Sequence, residues 1–296
     1  MSEWARTDVM GVLNVTPDSF SDGGQHLALD AALARAVRMV EEGAVVIDVG
    51  GESTRPGATP VDPVDEQRRV LPVIEAIVDQ LGPAPGALGG AGQVRVSIDT
   101  RHASTAAAAV GVGATLINDV SATLWPTAAE LGVGWVAMHM FGDPRTMQAE
   151  PRYDDVVDDV RRFLVERAQV ARAAGIDEVW VDPGIGFGKT TAHNLDLLAN
   201  LDLLVAEGFP VLVGTSRKRF LGELIARSDA GLGPRRPAEA VPSAAPIDPV
   251  GVEDRVDGSL ATAMWAMIHG ARMVRVHDVD VTVQGAAVVA GSIPVR

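Results

Sequence analysis

Short apolar runs alternate with longer amphipathic stretches along almost the whole chain. Val9–Val15, Ala44–Val49, Val94–Ile98, Thr115–Ile117, Gly134–Met138, Glu178–Val181, Pro210–Val213 and Met273–Val276 are of strand length and rich in Val and Ile. Most of them run into a polar residue or a glycine. The stretches between repeat their apolar positions at helical spacing. They predict helices over Asp30–Glu42, Pro63–Leu81, Arg101–Val110, Pro126–Leu131, Asp154–Ala174, Asn194–Ala206, Val256–His269 and Val279–Ala290, with a further helix opened by Gly214–Arg219. In the first of these, Leu33, Ala36, Val37 and Val40 mark one buried face.

Eight strands separated by helices make a parallel sheet, either doubly wound or closed into a barrel. The first strand–helix turn lacks a glycine-rich phosphate fingerprint, and polar residues follow nearly every strand instead of gathering at one switch point. The expected fold is therefore an α/β (β/α)₈ TIM barrel, one domain over residues 1–296. A chain of 296 residues suits this fold, which typically needs ~250. Ser228–Asp254, rich in Pro, Ala and Gly, is expected to be a flexible surface excursion after the seventh strand, dispensable for chemistry.

The stretch from Val46 to Ala58 carries the sharpest change in polarity. An apolar strand meets Asp48, Gly50-Gly51 ends it, and Glu52, Ser53, Thr54 and Arg55 follow before Pro56 and Gly57. Other strands repeat the device, ending at Asn14, Asp99, Asn118, His139, Asp182, Ser216-Arg217-Lys218, and Arg275 with His277. In a barrel all of these face one mouth, in two chemical sets. Asp99, Asn118 and Asp182 offer a flat hydrogen-bonding pattern suited to an amino-pyrimidinone edge. Arg55, Arg275, His277 and the helix N-termini suit phosphate, and Lys218 could serve either set. Asn14 could hold Mg²⁺ through its amide oxygen if phosphate oxygens supply other ligands.

Composition narrows the picture. Net charge is −14, which argues against a nucleic-acid or anionic-membrane surface, so any anionic ligand must be held by local cations working against the global field. The chain has no cysteine, hence no disulfide and no thiol chemistry. Aromatic residues are 4% against 47% hydrophobic, so the core is built from Val, Leu, Ile, Ala and Met. With a polar start and no long apolar span, the chain is expected to be soluble and cytoplasmic.

In sequence, the chain resembles the bacterial dihydropteroate synthase family from Met10 to about Val279. The motifs that carry the likeness occur in order: Met10–Gly24, Asp48–Ala58, Val96–Thr100, Ile117–Asp119, Met138–Met140, Asp182–Lys189, Ser216–Gly222 and Arg275–Asp278. The resemblance implies a barrel enzyme, commonly a homodimer, that joins 4-aminobenzoate to 6-hydroxymethyl-7,8-dihydropterin diphosphate and releases pyrophosphate. It implies that Asp99, Asn118, Asp182 and Lys218 grip the pterin, with Val12 and Met138 packing on its faces. Asn14 would help hold Mg²⁺ on the diphosphate, and Arg55, Arg275 and His277 would bind the leaving group. Asp22 would act from the first loop. Phe20, Thr54 and Pro56 would wall the aminobenzoate, whose carboxylate would meet the helix start at Lys218 and Arg219.

Plainer roles exist for the same residues. Asp99 could be a helix cap, Asp182-Pro183 a turn initiator, and the Lys218 cluster a solvated helix start. His139 reads as structural rather than catalytic, Trp125 and Trp135 as packing, and the acidic helix from Asp154 as a solvated face or dimer rim. Two positions depart from the family pattern: Arg219, where Ser is frequent, and Ala122-Thr123, where glycine occurs. Two rival functions share the fold, methyl transfer from a reduced folate to a corrinoid protein and a silent pterin-binding paralogue. The first has no use for Arg55, Lys218 and Arg275 as a phosphate set.

Overall fold

Parallel strands form because each apolar run can be buried on both faces, one against its barrel interior and one against helices. In the computed structural model, which describes residues 7–15, 25–53, 60–82, 94–142, 151–231 and 248–292, the strands are β1 (Asp8–Asn14), β2 (Val46–Gly50), β3 (Arg95–Asp99), β4 (Leu116–Asp119), β5 (Gly134–Met138), β6 (Val179–Asp182), β7 (Leu212–Val213) and β8 (Met273–Val276). All pairings are parallel, in the order β6-β5-β4-β3-β2-β1-β8-β7. The ring is brought together by the Val181–Val211 bridge, with Val181 N–H donating to the Pro210 carbonyl at 3.1 Å. The fold is the expected (β/α)₈ barrel.

Helices α1 (Gln25–Glu41), α2 (Pro63–Leu81), α3 (Ala103–Gly111), α4 (Trp125–Leu131), α5 (Val156–Ala173), α6 (Thr191–Ala199), α7 (Leu201–Val205), α8 (Arg219–Asp229), α9 (Val256–Ile268) and α10 (Val279–Ser292) surround it. The start of α2 follows from its sequence: Asp62 accepts from Val64 N–H at 2.9 Å, and Pro63 needs no donor partner in the first turn. Asp155 caps α5 in the same way, accepting from Val157 and Asp158 N–H at 3.0 Å each.

The apolar residues separate into two cores. The larger lies between sheet and helices, and the smaller fills the barrel with Met10, Val46, Leu116, Val136, Trp180, Leu212 and Met273. Every strand except β3 contributes one of them. Beneath this plug, Arg95 grips Glu178 through Nη1 and Nη2 at 2.6 and 2.7 Å, and Trp180 Nε1 donates to Glu178 Oε1 at 2.6 Å. Gly134 is required here, because a Cβ would lie 2.7 Å from Glu178 Oε2 and 2.9 Å from Arg95 Nη2. One end of the barrel is thus closed, and chemistry is confined to the other.

Some boundaries differ from expectation. β2 begins at Val46, since Ala44 N–H still donates to Met39 at the end of α1. α1 begins at Gln25, five residues before Asp30. The single helix expected over Asn194–Ala206 is two, because Asn200 turns its own Nδ2 onto the Asp196 carbonyl at 2.8 Å and leaves helical geometry. The excursion expected over Ser228–Asp254 is also shorter. α8 continues to Asp229, and Val250 is fixed by Gly222 and by Arg255, whose Nε and Nη2 reach its carbonyl at 3.0 and 2.7 Å. The remainder, residues 232–247, lies outside the described residues. Among the described residues no helix is long and apolar enough to cross a membrane.

Candidate functional site

Register assembles the mouth. Asn14, Gly50, Asp99 and Asn118 are successive partners across β1 to β4, so their side chains stand in one row. Gly50 leaves that row open: a Cβ there would stand 3.6 Å from Asp99 Oδ2 and 3.7 Å from Asn14 Oδ1. Val12 and Met138, both buried, sit at inward positions of β1 and β5, and Met138 pairs in register with Asp182.

The charged centre is an Asp–Arg–Asp group. Arg275 Nε donates to Asp48 Oδ2 and Arg275 Nη2 to Asp99 Oδ2, each at 2.6 Å, and Asn118 Nδ2 donates to Asp48 Oδ2 at 3.0 Å. Burial pushes the Asp99 carboxyl up to about 7 against the pull of Arg275. For Arg275 burial opposes the charge, but Asp48 and Asp99 outweigh it and hold the guanidinium protonated. Arg275, expected as a phosphate ligand, is here tied by two of its nitrogens to carboxylates. Asp99 is not a helix cap; α3 has His102 at its N-cap.

Asp182 and Lys218 face the same space from β6 and the start of α8. Burial raises the Asp182 carboxyl, with Lys218 and the Gly184 N–H pulling the other way, and burial lowers the Lys218 ammonium to about 8 with Asp182 opposing. Lys218 Nζ also donates to the Ile185 carbonyl and lies 4.6 Å above the Phe187 ring. Asp182 does initiate a turn as well, accepting from Gly184 N–H at 2.7 Å. That turn demands glycine: Gly184 has φ +64, and a Cβ would lie 1.8 Å from the His139 carbonyl oxygen.

Lys189, unremarked in the sequence beyond closing its motif, is the bolt of this loop. It is buried, and its Nζ reaches His139 Nδ1 (3.0 Å) and the carbonyls of His139 (3.2 Å), Gly184 (3.0 Å) and Phe187 (3.1 Å). Burial lowers its ammonium to about 7 despite Asp182, and burial together with Lys189 lowers His139 to about 3. His139 is the structural residue expected.

The turn before α8 is equally determined. Ser216 Oγ lies 3.0 Å from His277 Nδ1 and accepts from His277 N–H at 3.1 Å. Arg217, with φ +60, is held there by Ser259 Oγ on its N–H (2.8 Å) and by Asp278 on Nε and Nη2 (3.0 and 2.7 Å). The left-handed residue turns the chain so that Lys218 enters the mouth. Arg219 does not follow it. Its side chain is 77% exposed and bonded to Glu223 at 2.9 Å, so the structure does not bring it to the cluster as expected. The Ala122-Thr123 departure lies in a turn organised by Asp119, which accepts from Thr123 and Leu124 N–H at 2.7 and 2.6 Å and from Trp135 Nε1 at 3.2 Å; Ala122 has φ +52. Phe20, Asp22, Thr54, Arg55 and Pro56 lie outside the described residues.

Asn14 is exposed at the end of β1. Among the described residues no three His, Asp or Glu side chains are grouped to hold a metal ion.

Comparison with known proteins agrees with this geometry. Residues 10–277 match the model of the pterin binding enzyme family. The dihydropteroate synthase of Escherichia coli is 40% identical over 294 residues, covering 97% of this chain and 92% of that protein. The Xanthomonas albilineans dihydropteroate synthase with 4-aminobenzoic acid superposes with a TM-score of 0.80 at 44% identity, over 98% of this chain and 94% of that one. A second structure of the Xanthomonas enzyme, in complex with 7,8-dihydropteroate, gives 0.77 at 41% identity, over 98% and 95% of the two chains. The chain belongs to the pterin binding enzyme family.

Proposed function

We infer that the protein is a dihydropteroate synthase, which transfers the 7,8-dihydropterin-6-ylmethyl group from its diphosphate to the amine of 4-aminobenzoate and releases pyrophosphate. The observation that carries it is the convergence of Asp99, Asn118, Asp182 and Lys218 at one barrel mouth, in a chain that matches nearly the full length of relatives solved with 4-aminobenzoic acid and with 7,8-dihydropteroate.

Asp182 accepts from the amino-pyrimidinone edge, Asp99 and Asn118 line its other side, and Lys218 donates. Val12 and Met138 cover the ring faces. Arg275 and His277 stand beside the diphosphate, with Arg55 added from the second loop and Asp22 from the first. Phe20, Thr54 and Pro56 enclose the aminobenzoate near the N-terminus of α8, where unpaired backbone N–H groups suit a carboxylate. Asn14 would hold Mg²⁺ through its amide oxygen, beside the diphosphate. When bound, such an ion would supply charge that offsets the negative charge of the leaving group. The aryl amine is a weak nucleophile, so the gain lies in assisting departure of pyrophosphate. Cationic side chains stabilise the leaving oxygens, while buried carboxylates on the pterin side favour the positive charge that develops on the exocyclic methylene. No covalent nucleophile is needed.

A homodimer and a cytoplasmic setting go with this function. Leu203 on α7 and Trp265 and Ile268 on the adjoining α9 are 48%, 46% and 54% exposed, and Trp265 Nε1 ties α9 to the Leu198 carbonyl of α6. A second copy covering them would bury this apolar face. The test of function is incubation with the pterin diphosphate, 4-aminobenzoate and Mg²⁺. Dihydropteroate is expected; its absence from folded protein with all three present overturns the assignment.

A further inference from the structure

Asp48 has no place in that mechanism, yet it is the most deeply placed charge of the mouth. It is fully buried at mid-β2, between Val12 and Ser97 in register and just above the apolar plug. Replacing a buried ion pair with apolar side chains is often neutral or stabilising, so stability alone gives little reason for a carboxylate here. Its Oδ1 has no hydrogen-bond partner among the described residues, and neither has Ser97 Oγ. Its Oδ2 takes two donors, Asn118 Nδ2 and Arg275 Nε.

A carboxylate held against a guanidinium can only accept. Asn118 must therefore turn its NH₂ toward Asp48, because the flipped amide would set two buried oxygens against each other. The flip of the Asn118 amide is thus decided from below, and its oxygen is the atom left for a ligand. We propose that Asp48, itself out of ligand reach, is the positioning residue that sets the donor–acceptor sense of the pterin pocket: it holds Asn118 Nδ2 and Arg275 Nε so that Asn118 presents an acceptor to a ligand N–H. The inference rests on the proposed function and deepens it. With Asp182 and Asn118 both accepting, the pocket selects a ring bearing a 2-amino group beside a ring N–H. It rejects the 2-oxo counterpart, a lumazine, which would bring oxygen to oxygen.

An exchange of the two groups tests this. In Asn118→Asp the ligand still meets an acceptor, but two buried carboxylates face each other, and binding of 6-hydroxymethylpterin by calorimetry should weaken at least ~30-fold. Adding Asp48→Asn removes one of the two facing charges; residue 118 and Arg275 Nε meet the same oxygen of residue 48, so the amide complements only one of them and the rescue is partial. Affinity should recover at least ~3-fold over Asn118→Asp while staying below the parent, a coupling expected only of side chains in direct contact. A folded double variant no tighter than Asn118→Asp, or an Asn118→Asp variant that binds like the parent, overturns the role of Asp48. Asn118→Ala, which creates no carboxylate pair, provides the second measurement. Its preference for 6-hydroxymethylpterin over 6-hydroxymethyllumazine should fall severalfold, and an unchanged or greater preference overturns the proposal even if the exchange variants do not fold. Failure of the parent protein to bind 6-hydroxymethylpterin at all would instead overturn the proposed function.

Discussion

Lys189 Nζ sits 3.0 Å from His139 Nδ1, both groups buried, so the imidazole must offer a lone pair and stay neutral. This contact joins the end of β5 to the Asp182–Lys189 loop. Through Gly184, which bonds both Lys189 and Asp182, it links the position of Asp182 to a buried residue on the neighbouring strand.

The contact carries a pH signature. The folded pKa of His139 lies at about 3, below the ordinary 6.5, so the unfolded chain binds a proton between these values and the fold does not. The contribution of His139 to stability is full above pH 6.5 and declines as pH falls toward 3, by on the order of 1 kcal/mol per unit inside the window. The raised Asp99 carboxyl contributes the opposite slope. Urea titrations at pH 7, 6, 5 and 4 should show this slope of His139 in the difference between the parent and His139→Gln, which keeps an acceptor for Lys189 but does not titrate. An unchanged slope would place the acid sensitivity elsewhere.

Gly184→Ala is expected to cost at least ~3 kcal/mol of stability, because the left-handed φ and the 1.8 Å approach to the His139 carbonyl both exclude a Cβ. Chemical denaturation measures it. A variant within ~1 kcal/mol of the parent would mean the loop has room that its backbone does not show.

Asp182→Asn places an amide where, under the proposed function, a carboxylate accepts from ligand N–H groups. Loss of the charge-assisted contact should weaken pterin binding by about 2–4 kcal/mol with the fold intact. Unchanged affinity would remove Asp182 from the pocket.

Lys218 has its ammonium lowered to about 8 by burial. The charge that strengthens its proposed donation to the pterin is present below that pH and is lost as pH rises through it, so pterin affinity should decline above about pH 8. Lys218→Arg keeps its charge throughout and should lack this limb. A parent enzyme whose affinity holds to pH 9.5 would contradict the role.

The strand ends were legible because each needs only a local signal. An apolar β-branched run that stops at Asp99, Asn118 or Asp182 places that residue at the mouth of any parallel barrel. What such runs do not record is which side chains meet. Asp48 and Asp99 look alike in sequence, yet Asp48 is fully buried at mid-strand and Asp99 stands one layer nearer the mouth; only the register of β2 against β3 separates them. Arg219 looked like a neighbour of Lys218, but Arg217 turns the chain between left-handed and helical geometry, and successive residues then point in different directions. The break at Asn200 was likewise invisible to periodicity, since Leu201 and Leu204 continue the apolar face across it. Ser228–Asp254 was read as one loose segment from composition, which does not see the grip of Arg255 on Val250.

The central claim, transfer of the pterinylmethyl group to an aryl amine with loss of pyrophosphate, is tested most directly by stoichiometry. Radiolabelled 4-aminobenzoate, the pterin diphosphate and Mg²⁺ are incubated with the protein, and pyrophosphate and labelled dihydropteroate are measured in the same samples. The account predicts that the two appear together in a one-to-one ratio. Pyrophosphate without labelled dihydropteroate, or neither product from folded protein, would contradict it.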